Sequence, residues 1–366
     1  MRVAVIPSVS GGLGHLTRVT KLIHALQRAD RSLDVCMVLP ELGLRATNLA
    51  AAKRSGHPVR VLPNPVRHER DAAITKVLGD IDVVIEDTER RLIAYRRVLP
   101  RVRTWISIPM LPIWDELFMD WPLLEHADRV LYTYPAVMPV PEELARLGDK
   151  LTVTGPILDP DEMPPRNRAR SRLGFEDDEL VVWYAPRDFP FGRWFGLRVL
   201  NGVVGGFLRA RAQFPGLRLV LTAVADPSRV QPPRLPRLDS LAGLTINGIV
   251  SPEAARDHIA AADLAIVEGT STLFDAAVAG TPVLMVPGLI YETSLEGTWV
   301  HENDAGIVLR PEDVTRVSVE RVYRSVFGDR AAARARADRL RELVGEDGCQ
   351  KAVDAILGTI ASAAAP

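Results

Sequence analysis

The residues of this chain best arranged for chemistry are Glu268-Gly269-Thr270-Ser271-Thr272, followed three positions later by Asp275. They lie between two apolar runs, Leu264 to Val267 and Pro282 to Val286, in the order strand, polar loop, helix, strand. A helix N-terminus leaves backbone N–H groups unsatisfied and carries partial positive charge. Gly269, Thr270, Ser271 and Thr272 would turn those donors and three hydroxyls toward a phosphate. Asp275 stands one turn further in, within reach of a ribose. The expectation is a seat for a nucleoside diphosphate. Thr270 and Ser271 are equally ordinary capping residues, so the reading gains its weight from a second motif at the other end of the chain.

That motif is Ser8-Val9-Ser10-Gly11-Gly12-Leu13-Gly14-His15, which joins the first apolar run to the first helical pattern. Gly11, Gly12 and Gly14 allow a tight turn and close approach to a bound group. His15 falls at the carboxyl edge of a sheet, where open α/β folds bind ligands. Thr17 stands where a dinucleotide fingerprint needs its third glycine, which weakens that reading. A histidine ordinarily titrates at about 6.5, so its side chain is suited to taking a proton at neutral pH. Asp87, in Glu86-Asp87-Thr88, is a second candidate base expected at the same edge, and reads as readily as the N-cap of a helix over 89–99. Asp80-Ile81-Asp82 has the spacing of a metal-binding D-x-D but opens a strand at the opposite edge, and no metal site is expected.

Hydrophobic periodicity supplies the elements that must position these groups. Short apolar runs at 3–7, 34–39, 59–62, 81–85, 102–108, 129–132 and 151–154 alternate with helical patterns at 16–29, 44–55, 71–78 and 89–99, the rhythm of a parallel sheet. Gly155 to Pro165 contains four prolines that neither a helix nor a central strand can carry, and the domain boundary belongs there. The alternation restarts with strands at 180–185, 218–223, 244–249, 264–267, 282–286 and 306–309, and closes with helices over 315–327, 331–344 and 350–364. The domains are expected at 1–157 and 158–346, with 347–366 a C-terminal helix and tail.

At 366 residues the chain is long enough for two domains, and 47% hydrophobic with 25% charged residues is a globular composition. A net charge of -1 offers no electrostatic case for nucleic acid. Cys36 and Cys349 are the only cysteines, too few for a disulfide framework or a thiolate metal site, and a reducing cytoplasm fits. Met1-Arg2 leads straight into the first strand without a signal core, and no run approaches the roughly 18 apolar residues of a membrane span.

Two such halves, one opening with Gly11-Gly12-Leu13-Gly14-His15 and the other carrying Glu268 through Pro287, resemble the GT-B glycosyltransferases, most closely the MurG-like branch. The likeness extends to Ala127-Asp128-Arg129-Val130, Thr154-Gly155-Pro156-Ile157, Ile246-Asn247-Gly248-Ile249, Ala262-Asp263 and Ala305-Gly306-Ile307-Val308. It implies an α/β GT-B fold, two doubly wound Rossmann-like domains facing across a cleft. It further implies a metal- and cofactor-free, inverting transfer of a sugar from a UDP-sugar, held by the C-terminal domain, to an unidentified small-molecule or lipid-linked acceptor held by the N-terminal domain. In that setting Gly269 to Thr272 would stabilise the leaving diphosphate, Asp275 would accept hydrogen bonds from the ribose, backbone groups around Ile249 would meet the base, and His15 or Asp87 would take the acceptor's proton.

The chain departs from that family at two places. Where paired polar residues usually read the sugar stands Gly288-Leu289-Ile290-Tyr291-Glu292-Thr293-Ser294-Leu295-Glu296, in which Glu292 and Glu296 could accept from sugar hydroxyls or simply favour a helix start. Where a glycine-rich loop is usual stands Tyr184-Ala185-Pro186-Arg187-Asp188, and Arg187 could replace backbone donors with a bidentate phosphate contact or pair with an acid. Trp105, Trp114 and Trp121 share an apolar stretch that reads first as core and second as an acceptor groove or a weak peripheral membrane contact. A UDP-sugar epimerase of the same fold and a non-catalytic nucleotide-sugar-binding protein are the rival functions.

Overall fold

The computed structural model describes residues 1–9, 13–64, 69–111, 122–186, 193–222, 237–288 and 290–364. The chain divides into two compact units, 1–159 with 345–366, and 160–344.

The first unit is built on seven strands, β1 (Arg2–Pro7), β2 (Asp34–Pro40), β3 (Val59–Leu62), β4 (Val83–Asp87), β5 (Thr104–Ile108), β6 (Arg129–Tyr132) and β7 (Leu151–Val153), in the order β3-β2-β1-β4-β5-β6-β7. Every pairing is parallel, with Pro7 opposite Asp87 and Asp87 opposite Ile108. Parallel strands need crossovers, and helices α1 (Gly14–Ala29), α2 (Ala46–Arg54) and α3 (Arg70–Leu78) supply the first three, with the short α4 (Glu142–Ala145) between β6 and β7. The strand order reverses between β1 and β4, and a doubly wound sheet opens its ligand crevice at such a switch point. Leu16, Val19, Leu22, Ile23 and Leu26 recur at helical spacing along α1 and bury one face against the β1 and β2 core.

In the second unit β8 (Leu180–Tyr184), β9 (Leu217–Leu221), β10 (Leu244–Ile246), β11 (Leu264–Val267), β12 (Val283–Met285) and β13 (Ile307–Val308) form a parallel sheet in the order β10-β9-β8-β11-β12-β13. Its switch point lies between β8 and β11. Helices α5 (Arg166–Leu173), α6 (Arg193–Ala210), α7 (Pro252–Ala261), α8 (Ser271–Ala279), α9 (Tyr291–Glu302), α10 (Arg316–Gly328) and α11 (Arg330–Val344) cover it. Gly206 lets α6 and α10 approach closely, since a Cβ there would come within 2.7 Å of Val319. The last helix, α12 (Gly348–Ala364), returns to the first unit and packs on α1, β5 and β6.

Three local readings differ from the sequence expectation. The helix over 89–99 is a 3-10 helix, Arg90–Val98, because its arginine-rich run buries only Arg90 and Ile93 and has no continuous apolar stripe to dock. β4 runs from Val83 to Asp87 rather than from Ile81, since the Asp82 carboxylate is spent on the Arg2 backbone N–H and on Arg101. Helix α5 was not legible, having almost no hydrophobic content in Arg166-Asn167-Arg168-Ala169-Arg170-Ser171-Arg172-Leu173.

Candidate functional site

In the first unit the chemistry gathers at the carboxyl ends of β1 and β4, on either side of the switch point. Helix α1 begins at Gly14, so His15 sits in its first turn and Arg18 one turn later on the same face. Both reach Asp87, the last residue of β4. His15 Nδ1 lies 3.0 Å from Asp87 Oδ1, Arg18 Nε donates to Oδ2 at 2.9 Å, and Arg18 Nη2 makes a short hydrogen bond to Oδ1. Arg18 Nη1 also donates to the Thr133 hydroxyl just past β6 at 3.3 Å, and the Thr88 hydroxyl donates to Asp87 Oδ1 at 3.0 Å.

Asp87, expected as a rival base open at the sheet edge, is instead sealed beneath these groups with no exposed surface, whereas the His15 side chain keeps 18% of its own. Burial by itself would raise the Asp87 carboxyl; Arg18 and then His15 outweigh it and hold it well below the usual carboxylate range. A carboxylate so held can only accept, so Nδ1 is the donor where His15 bonds Asp87; Arg18 Nη2, also a donor, stands 3.1 Å from the same nitrogen. Thr88, at φ 71°, takes a left-handed conformation uncommon for a β-branched residue directly after Asp87. Glu89, next along, faces the same histidine, and burial holds its carboxyl above its usual range against the Ser8 hydroxyl.

Gly14 opens α1, while Gly11 and Gly12 lie outside the described residues. Asp80 and Asp82 are consumed by ion pairs: Asp80 is gripped by both terminal nitrogens of Arg60 and by Arg2, and the Arg60 contact brings its carboxyl down to about 2.

In the second unit the matching position is the turn from β11 into α8. Gly269 has φ 110°, and Thr270 has φ 58° with ψ -141°, a conformation that L-residues rarely adopt. Two buried acids flank the turn. Glu268 Oε1 accepts from the Tyr184 hydroxyl at 2.8 Å, tying the end of β8 to the end of β11, and Glu296 Oε2, from α9, accepts from the Thr270 backbone N–H at 2.6 Å. The Thr272 hydroxyl donates back to the Gly269 carbonyl at 3.0 Å. Asp275 is half-buried one turn into α8, and Ile249 is 57% exposed in the loop after β10.

Glu292 and Glu296, expected as acceptors for sugar hydroxyls, are both buried, at 4% and 0% exposure. Both lie on the buried face of α9, from which Glu296 reaches the Thr270 backbone N–H. Arg187 lies outside the described residues, as do Trp114 and Trp121, while Trp105 is fully buried on β5.

No protein-family model matches the chain, and no curated protein matches it. Solved structures do. A calicheamicin glycosyltransferase superposes with a TM-score of 0.63 at 17% identity over 100% of both chains. MurG of Acinetobacter baumannii gives 0.63 at 15% identity, over 98% of this chain and 99% of its own. A UDP-GlcNAc 2-epimerase from Neisseria meningitidis, bound to UDP-GlcNAc, gives 0.68 at 12% identity, over 99% of this chain and all of that one. The fold is GT-B.

Within this GT-B chain four residues of the two clusters escaped the sequence reading: Arg18, Glu89, Thr133 and Tyr184. Arg18 had a signal, since residue i+3 from a helix-opening histidine shares its face. Tyr184 had none, because its role depends on β8 lying beside β11, which brings in a partner 84 residues away in sequence. The helices of the GT-B chain include none long and apolar enough to cross a membrane, among the described residues.

Proposed function

We propose that this protein is a glycosyltransferase that moves a sugar from a nucleotide-diphosphate donor, UDP-linked, to a hydroxyl acceptor with inversion at the anomeric carbon. The observation that carries the reading is the His15–Asp87 pair at the switch point of the first unit. Asp87 fixes the imidazole and its tautomer, and Nε2 accepts the proton of the acceptor hydroxyl. That oxygen forms the new bond to the anomeric carbon as the bond from that carbon to the phosphate oxygen breaks. The nucleoside diphosphate departs with the electron pair.

At the second unit's switch point, the α8 N-terminus with Ser271 and Thr272 receives the diphosphate and takes up its developing charge without a metal. Asp275 receives the ribose hydroxyls and the backbone near Ile249 the base. Asp87 acts through His15, so His15 alone is the base.

A second reading is sugar epimerisation, since the UDP-GlcNAc 2-epimerase superposes as fully, at 0.68, as the transferases at 0.63. The same experiment separates them. The protein is incubated with UDP- and dTDP-sugars, with and without a cell extract as acceptor source, and nucleotide and sugar products are followed. Release of nucleotide that requires acceptor supports transfer. Sugar interconversion without release supports the epimerase, acceptor-independent release indicates hydrolysis, and binding without product indicates a non-catalytic sensor.

A further inference from the structure

A buried carboxylate must have a positive partner, because an uncompensated charge in the interior is costly. Asp87 has two candidates for that partner, Arg18 and His15, and they differ in what they can do next. Arginine is permanently charged. A histidine that serves as the counter-ion is already protonated and has no lone pair for a substrate proton. Arg18 covers both carboxylate oxygens, with Nε on Oδ2 and Nη2 on Oδ1, and its own position is pinned by Thr133. Its Nη2 also stands 3.1 Å from His15 Nδ1, so a fixed cation faces the imidazole directly.

We propose that Arg18 is the resident counter-ion of Asp87 and thereby a positioning residue for His15. It supplies the charge that the buried carboxylate requires, so the imidazole is held in place by Asp87 while staying neutral and able to accept a proton. The charged and titratable groups facing His15 among the described residues are Asp87 on β4, Arg18 on α1 and Glu89 after β4. Of these only Arg18 is cationic, so its removal shifts the burden of neutralising Asp87 onto the histidine.

The inference rests on His15 being the base, yet its test needs no turnover. The His15 ring is titrated by NMR in the full-length protein, its signal assigned by loss in His15→Ala. Arg18→Met is expected to move the midpoint upward by a pH unit or more, about tenfold in proton affinity. Arg18→Lys, whose single ammonium cannot span both oxygens, is expected to move it upward by less. Asp87→Asn, which leaves Arg18 facing the ring alone, is expected to move it downward. A midpoint unchanged or lowered in Arg18→Met overturns the inference, and in Arg18→Lys does so if the methionine variant fails to fold. If the midpoints shift as expected but no nucleotide sugar is turned over, the counter-ion stands and the transferase reading falls.

Discussion

The backbone N–H of Thr270 donates to the Glu296 carboxyl group across 2.6 Å, and that carboxyl is entirely buried. Thr270, within the proposed diphosphate seat, is thus fixed by a side chain of α9. Its role is to hold a strained turn in which Thr270 sits at φ 58°. Removing that acceptor and leaving the N–H without it costs about 1–3 kcal/mol.

Glu296→Ala is therefore expected to weaken UDP binding by about tenfold or more. Glu296→Gln, which keeps an accepting oxygen, is expected to bind UDP about as well as the parent protein. Calorimetric titration with UDP and with UDP-GlcNAc checks this. A glutamine variant that keeps UDP but loses the sugar nucleotide would return Glu296 to the role of sugar reader.

Gly269 is the neighbouring constraint. At φ 110° a Cβ would meet the Glu296 carboxyl and come within 2.9 Å of Thr293 Cγ2. Gly269→Ala is expected to cost about 1–3 kcal/mol through the unfavourable backbone and the clash, read as a lower denaturation midpoint in urea. A midpoint equal to the parent's would show that the turn relaxes freely.

Glu86 predicts a pH dependence of stability. It lies on β4 between Ile6 and Ser107, fully buried, and desolvation pushes its carboxyl up to about 8 from an ordinary 4.5. Between those two values the folded protein keeps a proton that the unfolded chain has lost. This group's contribution is therefore most favourable below pH 4.5, declines as pH rises through about 8, and is level beyond, a change on the order of several kcal/mol. Glu86→Gln removes the slope, so its gain in Tm over the parent should be larger at pH 8 than at pH 5. An equal gain at both pH values would contradict the burial argument.

Much of this was legible before the structure. The parallel alternation, the doubly wound halves and the α8 turn follow from apolar runs and glycine placement, which are local properties. What was not legible depends on partners distant in sequence. His15 and Asp87 are 72 positions apart, and which of two candidate bases stays open was decided by Arg18 closing over the aspartate. Glu292 and Glu296 could be placed at a helix start but not on its buried side, because α9 has almost no amphipathic asymmetry to read: its buried residues are Glu292, Thr293, Glu296 and Gly297 as well as Trp299 and Val300.

In the proposed reaction His15 removes a proton from an acceptor while a nucleotide sugar is bound elsewhere in the protein. The most direct measurement is acceptor-dependent UDP release by the parent protein and by His15→Ala, paired with the Kd for UDP-sugar of each. Donor affinity is expected to be unchanged and the transfer rate to fall by about 100-fold or more, the size of a general-base contribution. Transfer by His15→Ala at the parent's rate would contradict it.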